Sequence, residues 1–180
     1  MTRPIKAIWA EDLNGTIGFD NTIPWHSSLD FKHFKETTQN SYLVMGRKTF
    51  ESIGAKSLPS RKTIVITTDK TYKSEDTNTT IVHSIDAALN LINSINPNIS
   101  VFICGGKSIY EQFMPYTTEI IQTVIQHAYL GDTTIPKIDK SIWAKLKSTK
   151  VTKVKEPKEP QIIINIYKPK LQLHQSTTRH

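Results

Sequence analysis

Cysteine occurs once in these 180 residues, at Cys104, so neither a disulfide framework nor a cysteine-rich metal site is available, and no metal is expected. No apolar run approaches the length needed to span a bilayer, and Met1-Thr2-Arg3-Pro4-Ile5-Lys6 leads into a strand-like segment with no long apolar signal region before it. A cytoplasmic protein without a membrane partner is expected. Internal repeats and obvious linkers are missing too. At this length the chain reads as one domain over 1–168, large enough for a real core, followed by a polar, patternless tail at 169–180. Arginine is sparse. Arg3 and Arg179 lie near the ends, which leaves Arg47 and Arg61 in the body of the chain. The forked guanidinium suits phosphate and carboxylate groups, so each of those two positions is expected to meet an anion.

Basic residues are nevertheless in excess, with a formal charge of +7. Ten lysines fall between Lys137 and Lys170 against Asp139, Glu156 and Glu159. They alternate with Val151, Val154, Ile162 and Ile164, the pattern of the wet face of an antiparallel sheet. A solvated face explains them better than a nucleic-acid groove, which would interleave aromatic and basic residues. No nucleic-acid partner is expected.

Strand-like runs occur at 5–10, 42–45, 63–67, 80–83, 100–104, 120–129, 146–154 and 161–167. Helix-like stretches occur at 29–37, 48–53, 85–95 and 107–113. Strands alternating with helices as far as Phe113 argue for parallel crossovers and an α/β fold. The last two strands, joined by Lys155-Glu156-Pro157-Lys158-Glu159-Pro160, read as an antiparallel pair at the sheet edge.

Ile23-Pro24-Trp25, with Asp30 five residues beyond the tryptophan, opens the second of these elements. Pro24 stiffens the chain as it leaves a Gly/Asn-bearing loop. Leu29, Phe31 and Phe34 have helical spacing, and Asp30 shares a face with Phe34. A carboxylate beside Trp25 and Phe34 is poorly solvated, so it suits a protonatable heterocycle that donates to it. The alternative is that Ser27 or Ser28 caps the helix and Asp30 merely favours its positive end.

Two strand–glycine–helix junctions follow. Val101-Phe102-Ile103-Cys104-Gly105-Gly106-Lys107-Ser108-Ile109-Tyr110 is neither G-x-G-x-x-G nor a P-loop, but its adjacent glycines let the backbone approach a ligand closely. Met45-Gly46-Arg47-Lys48-Thr49 places two cations at a helix start, where they oppose the helix dipole and where a bound anion offsets the cost.

In order from Ile5 to about Tyr167, these pieces resemble dihydrofolate reductase, nearest to Gram-positive bacterial or phage-like members. The resemblance includes Ile8-Trp9-Ala10, Gly15-x-Ile17-Gly18, Pro24-Trp25, Asp30 and the run from Met45 through Gly46-Arg47-Lys48-Thr49 to Gly54. It continues through Leu58-Pro59-x-Arg61, Ile103-x-Gly105-Gly106, Tyr110-Glu111-Gln112-Phe113 and Gly131-Asp132-Thr133. It implies a three-layer fold around a mostly parallel eight-stranded sheet, with an antiparallel C-terminal edge strand and about four helices. It also implies an NADPH-dependent monomer that reduces 7,8-dihydrofolate to tetrahydrofolate for one-carbon and thymidylate metabolism, and that antifolates inhibit.

The resemblance further implies that Asp30, with Thr123 behind it, binds the pterin 2-amino group and N3 and raises the proton affinity of N5. Ile23, Trp25 and Tyr110 complete the catalytic set. Ile8, Trp9, Ala10 and Cys104 edge the pterin, the carbonyls of Ile8 and Cys104 facing it. Phe31, Phe34, Ile53 and Leu58, with Ile23, form apolar walls, and Arg61 clamps the glutamate α-carboxylate. On the cofactor side it implies Ala10, Ile17 and Gly18 near the nicotinamide, and Arg47, Lys48, Thr67 and Thr68 around the 2′-phosphate. Gly46, Thr49, Cys104, Gly105, Gly106, Lys107, Ser108, Ile109 and Tyr110 follow the pyrophosphate and nicotinamide. A cis bond is implied between Gly105 and Gly106, and a closing loop over residues 15–25 steadied by Asp132.

Two departures from the family pattern stand out. His26-Ser27-Ser28-Leu29 replaces the usual leucine–proline approach to the helix, and Phe31 and Cys104 stand where aliphatic residues are common. Reduced trimethoprim sensitivity is the expected consequence. The competing functions are a relative that reduces another heterocycle, as in riboflavin synthesis, and a nucleic-acid binder. Asp30 and Arg61 argue against the first, and the absence of aromatic–basic interleaving against the second.

Overall fold

The computed structural model describes residues 3–18, 23–152 and 159–171. In chain order the elements are β1 (Lys6–Glu11), β2 (Thr16–Gly18), α1 (Ser28–Thr37), β3 (Tyr42–Gly46), α2 (Arg47–Ser52), β4 (Lys62–Ile66) and β5 (Thr79–Val82). Then come α3 (Ile85–Ser94), β6 (Val101–Ile103), α4 (Lys107–Phe113), β7 (Glu119–Ile125), β8 (Thr133–Thr134), β9 (Trp143–Val151) and β10 (Ile162–Pro169). A single 3-10 turn at Met114–Tyr116 follows α4. Eight strands form one sheet in the order β5-β4-β3-β6-β1-β7-β10-β9. No helix among the described residues is long and apolar enough to cross a membrane.

The chain divides into two compact units, Met1–Ala7 with Phe34–Thr117, and Ile8–His33 with Thr118–His180. In the first, β3 runs parallel to β4 and β6, and β4 parallel to β5, while the opening of β1 pairs parallel with β6 (Lys6 with Phe102, Ala7 with Ile103). The inner strands β3, β4 and β6 carry apolar runs because both faces are covered: Leu43, Val44, Ile64, Val65, Val101 and Ile103 have no exposed surface, whereas no residue of the edge strand β5 is buried. Helix α3 packs on β4 and α4 on β6. Ser84 caps α3 by accepting from the Ala87 amide at 3.0 Å. At the other end of α3, the Arg3 guanidinium donates to the carbonyls of Ile95 (2.9 Å), Asn96 (3.1 Å) and Ile99. The N-terminal arginine thus ties down the turn that follows α3, donating to carbonyls that lie beyond the helix.

In the second unit β10 is antiparallel to both β7 and β9. The expected antiparallel pair is present; its outer strand is β9, and the C-terminal strand lies one place inside. The lysines of β9 are exposed, but so is every residue from Lys145 to Lys150, Leu146 included, and a register shift puts Lys147 on the other face from Lys145 and Lys150, so the expected alternation of a wet and a covered face is not found. Strand β10 runs on to Pro169, so the first residue assigned to the tail completes a strand, while 172–180 and most of the Lys155–Pro160 connector lie outside the described residues. Strand β7 stops at Ile125 rather than Tyr129, and β9 starts three residues earlier than its lysine pattern suggests. There, Asp139 accepts from Ser141 and from the Trp143 amide to form the preceding turn.

A small second sheet, β2 with β8, escapes the sequence pattern because two- and three-residue strands carry no alternation. Gly131 permits it. A side chain there would meet Thr16 Cγ2 at 2.0 Å and the Gly18 carbonyl at 2.9 Å.

Candidate active site

Helix α1 carries Asp30 in its first turn, and the local sequence explains how the helix starts without the family's proline. Ser27 is buried and accepts from the Asp30 amide at 3.1 Å, an N-cap bond. A second cap comes from far along the chain. Glu159 accepts from the Ser28 hydroxyl at 2.7 Å and from the Leu29 amide at 3.0 Å, setting a carboxylate at the positive end of α1. The capping alternative raised by the sequence is therefore correct for Ser27. It does not account for Asp30.

The Asp30 carboxylate is half-buried, and its pKa is pushed up from 3.8 to about 6. Desolvation raises it, and a hydrogen bond from the Thr123 hydroxyl on β7 opposes that rise. Thr123 itself is buried. A carboxylate poised near neutrality, braced by one hydroxyl, is suited to accept hydrogen bonds from a planar heterocycle.

In the same unit, Ile8 and Trp9 are buried and Ala10 is half-buried. The Trp25 ring is packed with Ile125 and Ile162, and lies 5.6 Å from the Tyr129 ring. Ile23 and Phe31 are 53% and 48% exposed, and the Phe31 ring lies 5.5 Å from that of His26. Ile17 and Gly18 sit on β2, where the Asp132 amide donates to the Gly18 carbonyl at 3.0 Å. The centre of the expected closing loop, residues 19–22, lies outside the described residues.

The first unit holds the remaining candidates. Arg61 is buried; its Nε donates to the Pro59 carbonyl at 2.9 Å and one Nη to Thr38 Oγ1 at 3.2 Å, which fixes the plane of the fork. Ile53, Leu58 and Phe34 are half-buried. Burial pushes the Cys104 thiol up, so it stays protonated; its S–H faces the Phe102 carbonyl, and its amide donates to Val44.

Gly105 and Gly106 are joined by a cis peptide bond, and the Gly105 carbonyl accepts from the Gly46 amide at 2.9 Å. This bond ties together the two glycine junctions that follow β3 and β6. Gly105 has φ 111°, and a side chain on it would meet the Tyr110 ring at 3.2 Å. Ile109 and Tyr110 are buried on α4, while Lys107 and Ser108 are exposed at its start. Gly106 faces Thr49, whose Oγ1 would be 3.8 Å from an added Cβ.

Because β3 and β4 are parallel and in register at Gly46 and Ile66, Arg47-Lys48 and Thr67-Thr68 leave adjacent strand ends together. That brings two cations and two hydroxyls to one sheet end, a donor set that fits a phosphate ester. The surroundings of Arg47 were not legible in the sequence. Its Nε donates to Glu51 at 2.8 Å, one Nη donates to Asp69 at 3.1 Å, and its guanidinium carbon lies 4.5 Å from the Tyr72 ring centroid. Glu51 stands four residues on in α2, a visible helical pairing, whereas Asp69 arrives only through the β4–β5 connection.

Comparison with known proteins agrees with this arrangement. The family model described as dihydrofolate reductase matches residues 4–168. A dihydrofolate reductase of Enterococcus faecium is 42% identical over 133 residues, covering 74% of this chain and 78% of that protein. One from Staphylococcus haemolyticus is 38% identical over 156 residues, covering 87% and 89%. The solved dihydrofolate reductase of Enterococcus faecalis, complexed with NADP(H) and RAB-propyl, superposes with a TM-score of 0.85 at 32% identity, covering 94% of this chain and 98% of that one. A match of this breadth, over residues that include the half-buried Asp30 carboxylate, both glycine junctions and Arg47-Lys48, places the protein in the dihydrofolate reductase family.

Proposed function

We propose that this chain reduces 7,8-dihydrofolate to 5,6,7,8-tetrahydrofolate with NADPH. The observation that carries the proposal is the Asp30 carboxylate, desolvated to a pKa of about 6 and braced by Thr123. Ionised, it accepts hydrogen bonds from the pterin 2-amino group and N3; this fixes the ring and raises the proton affinity of N5, with a water as immediate donor. The carbonyls of Ile8 and Cys104 face the pterin edge, with Trp9 and Ala10 alongside. Ile23, Phe31, Phe34, Ile53 and Leu58 supply apolar wall, and the exposure of Phe31 and Ile23 suits them to cover a flat ligand. Arg61, its fork already oriented by Pro59 and Thr38, receives the glutamate α-carboxylate.

Bound NADPH supplies the hydride that reaches pterin C6. Arg47, Lys48, Thr67 and Thr68 hold its 2′-phosphate. Gly46, Thr49 and the turn from Gly105 through Gly106, Lys107, Ser108 and Ile109 hold the pyrophosphate, the glycines allowing close backbone approach. Tyr110, Ala10, Ile17 and Gly18 border the nicotinamide. Trp25 anchors the end of the loop that closes over it and excludes water. Residues 1–168 act as one functional domain, in a cytoplasmic monomer that antifolates inhibit.

The test is to mix purified protein with NADPH and dihydrofolate and follow loss of the reduced nicotinamide, with folate and NADH as alternatives. No oxidation dependent on dihydrofolate would overturn the proposal. Trimethoprim sensitivity is proposed to be reduced, because Phe31 and Cys104 change the pocket wall; an inhibition constant equal to that of sensitive bacterial homologues would sink that part alone.

A further inference from the structure

Arg47 does not stand as an isolated cation. Two carboxylates and one aromatic ring hold it: Glu51 at 2.8 Å, Asp69 at 3.1 Å and the Tyr72 ring at 4.5 Å. Asp69 is itself set in place by its own turn. Its Oδ1 accepts from the Thr71 amide at 2.9 Å and the Thr71 hydroxyl at 2.6 Å, and its amide donates to Thr67 Oγ1 at 3.2 Å. With Oδ1 engaged by Thr71, Oδ2 is the oxygen that meets Arg47. This is a preorganised acid two residues beyond Thr67, on the connection that carries the phosphate-type hydroxyls. Such an acid opposes a dianionic 2′-phosphate, both by like charge and by engaging a donor of Arg47. A carboxylate at the adenosine ribose is also the group that recognises a free 2′-hydroxyl.

We propose that Asp69 is a cofactor-specificity residue. It moderates the preference of this chain for NADPH over NADH, by opposing the 2′-phosphate at Arg47 and by offering an acceptor to the 2′-hydroxyl of the unphosphorylated dinucleotide. The inference rests on the proposed placing of the 2′-phosphate at Arg47.

The measurement is the ratio of Kd for NADH to Kd for NADPH, from fluorescence titration without substrate, and beside it the ratio of kcat/KM for NADPH to that for NADH with saturating dihydrofolate, in the native chain, Asp69→Asn and Arg47→Gln. Asparagine is isosteric, and its side-chain oxygen can still accept from Thr71, so the turn is retained while the charge is lost. In Asp69→Asn each ratio is expected to rise about two- to fivefold, the scale of one exposed charge contact. Most of the rise is carried by KM, and it shrinks as salt is added. In Arg47→Gln the ratio falls. An unchanged or lower ratio in Asp69→Asn, with a fall in Arg47→Gln, overturns the role of Asp69 and leaves the phosphate assignment standing. An unchanged ratio in Arg47→Gln overturns the phosphate assignment itself, and the inference with it.

Discussion

Thr123 on β7 donates its hydroxyl proton to the Asp30 carboxylate in the first turn of α1, linking two residues 93 positions apart in the sequence. The bond holds the carboxylate in one orientation and limits the rise in its pKa. For catalysis the carboxylate must be both available and directional, so charge and geometry can be separated by mutation. Asp30→Asn keeps the shape and removes the acceptor pair. Turnover at neutral pH is expected to fall about a hundredfold or more, the scale of a positioned acid–base group. NADPH affinity, measured by fluorescence titration, is expected to stay within about twofold, since the residues proposed to hold the cofactor are untouched. Near-normal turnover would reduce Asp30 to an ordinary acid at a helix start.

The same residue makes stability depend on pH in a defined direction. The folded pKa of about 6 lies above the ordinary 3.8, so folding favours the protonated acid. Below pH 4 the carboxyl is protonated in both states and contributes no penalty. Between 4 and 6 the unfolded chain ionises first, and stability is lost as the pH rises; above 6 the loss is complete. Asp30→Asn removes this dependence. Relative to the native chain, the variant should gain on the order of 2 kcal/mol between pH 3.5 and pH 7.5. Denaturant unfolding at the two pH values measures it. A difference between the two proteins that does not change with pH would show that the carboxylate is not desolvated.

Much of this was legible beforehand, because it depends on local pattern. Apolar runs located the parallel strands, and Gly105-Gly106 and Gly46-Arg47-Lys48 marked the junctions that the Gly46–Gly105 hydrogen bond ties together, whereas the lysines of β9 marked a solvated strand but not one wet face. What was not legible depends on partners that only the fold supplies. Gln122 and Asn165 look like polar residues on strands, yet both are buried in a chain of hydrogen bonds from Ser148 through Asn165 and Gln122 to Glu11, which also accepts from Trp9 Nε1 at 3.0 Å. Asp69 carries no local signal, and only the β4–β5 connection brings it to Arg47. The β2–β8 sheet rests on four paired positions and the space left by Gly131, too little for any periodicity.

Glu159 gives a prediction specific to this chain. It replaces a covalent device, the proline absent from Ser27-Ser28-Leu29, with a cap delivered from a segment more than a hundred residues away. Glu159→Ala leaves the Leu29 amide and the Ser28 hydroxyl without that acceptor. A loss of about 1 kcal/mol is expected from the missing cap. Because α1 carries Asp30, KM for dihydrofolate should rise while KM for NADPH holds. Glu159→Gln, which keeps an acceptor but loses the charge, should recover part of both effects. Equal stability of the native and alanine proteins would show that Ser27 alone suffices to start the helix.

Arg61 tests the tail site, and it does so best with a substrate that has no tail. Its Nε and one Nη are bound to Pro59 and Thr38, so the guanidinium reaches a carboxylate in a fixed plane. Lysine keeps the charge but lacks the fork and cannot reproduce both anchoring bonds. Arg61→Lys should raise KM for dihydrofolate about tenfold or more, the scale of one charge-assisted hydrogen bond. Turnover at saturation should change by less than about threefold, because the contact lies away from the reacting atoms and serves substrate and transition state alike. With a dihydropterin that lacks the glutamate, the native chain and the variant should have the same kcat/KM. An equal loss with both substrates would mean that the substitution disturbs the fold around Thr38 and Pro59, and that Arg61 receives no carboxylate.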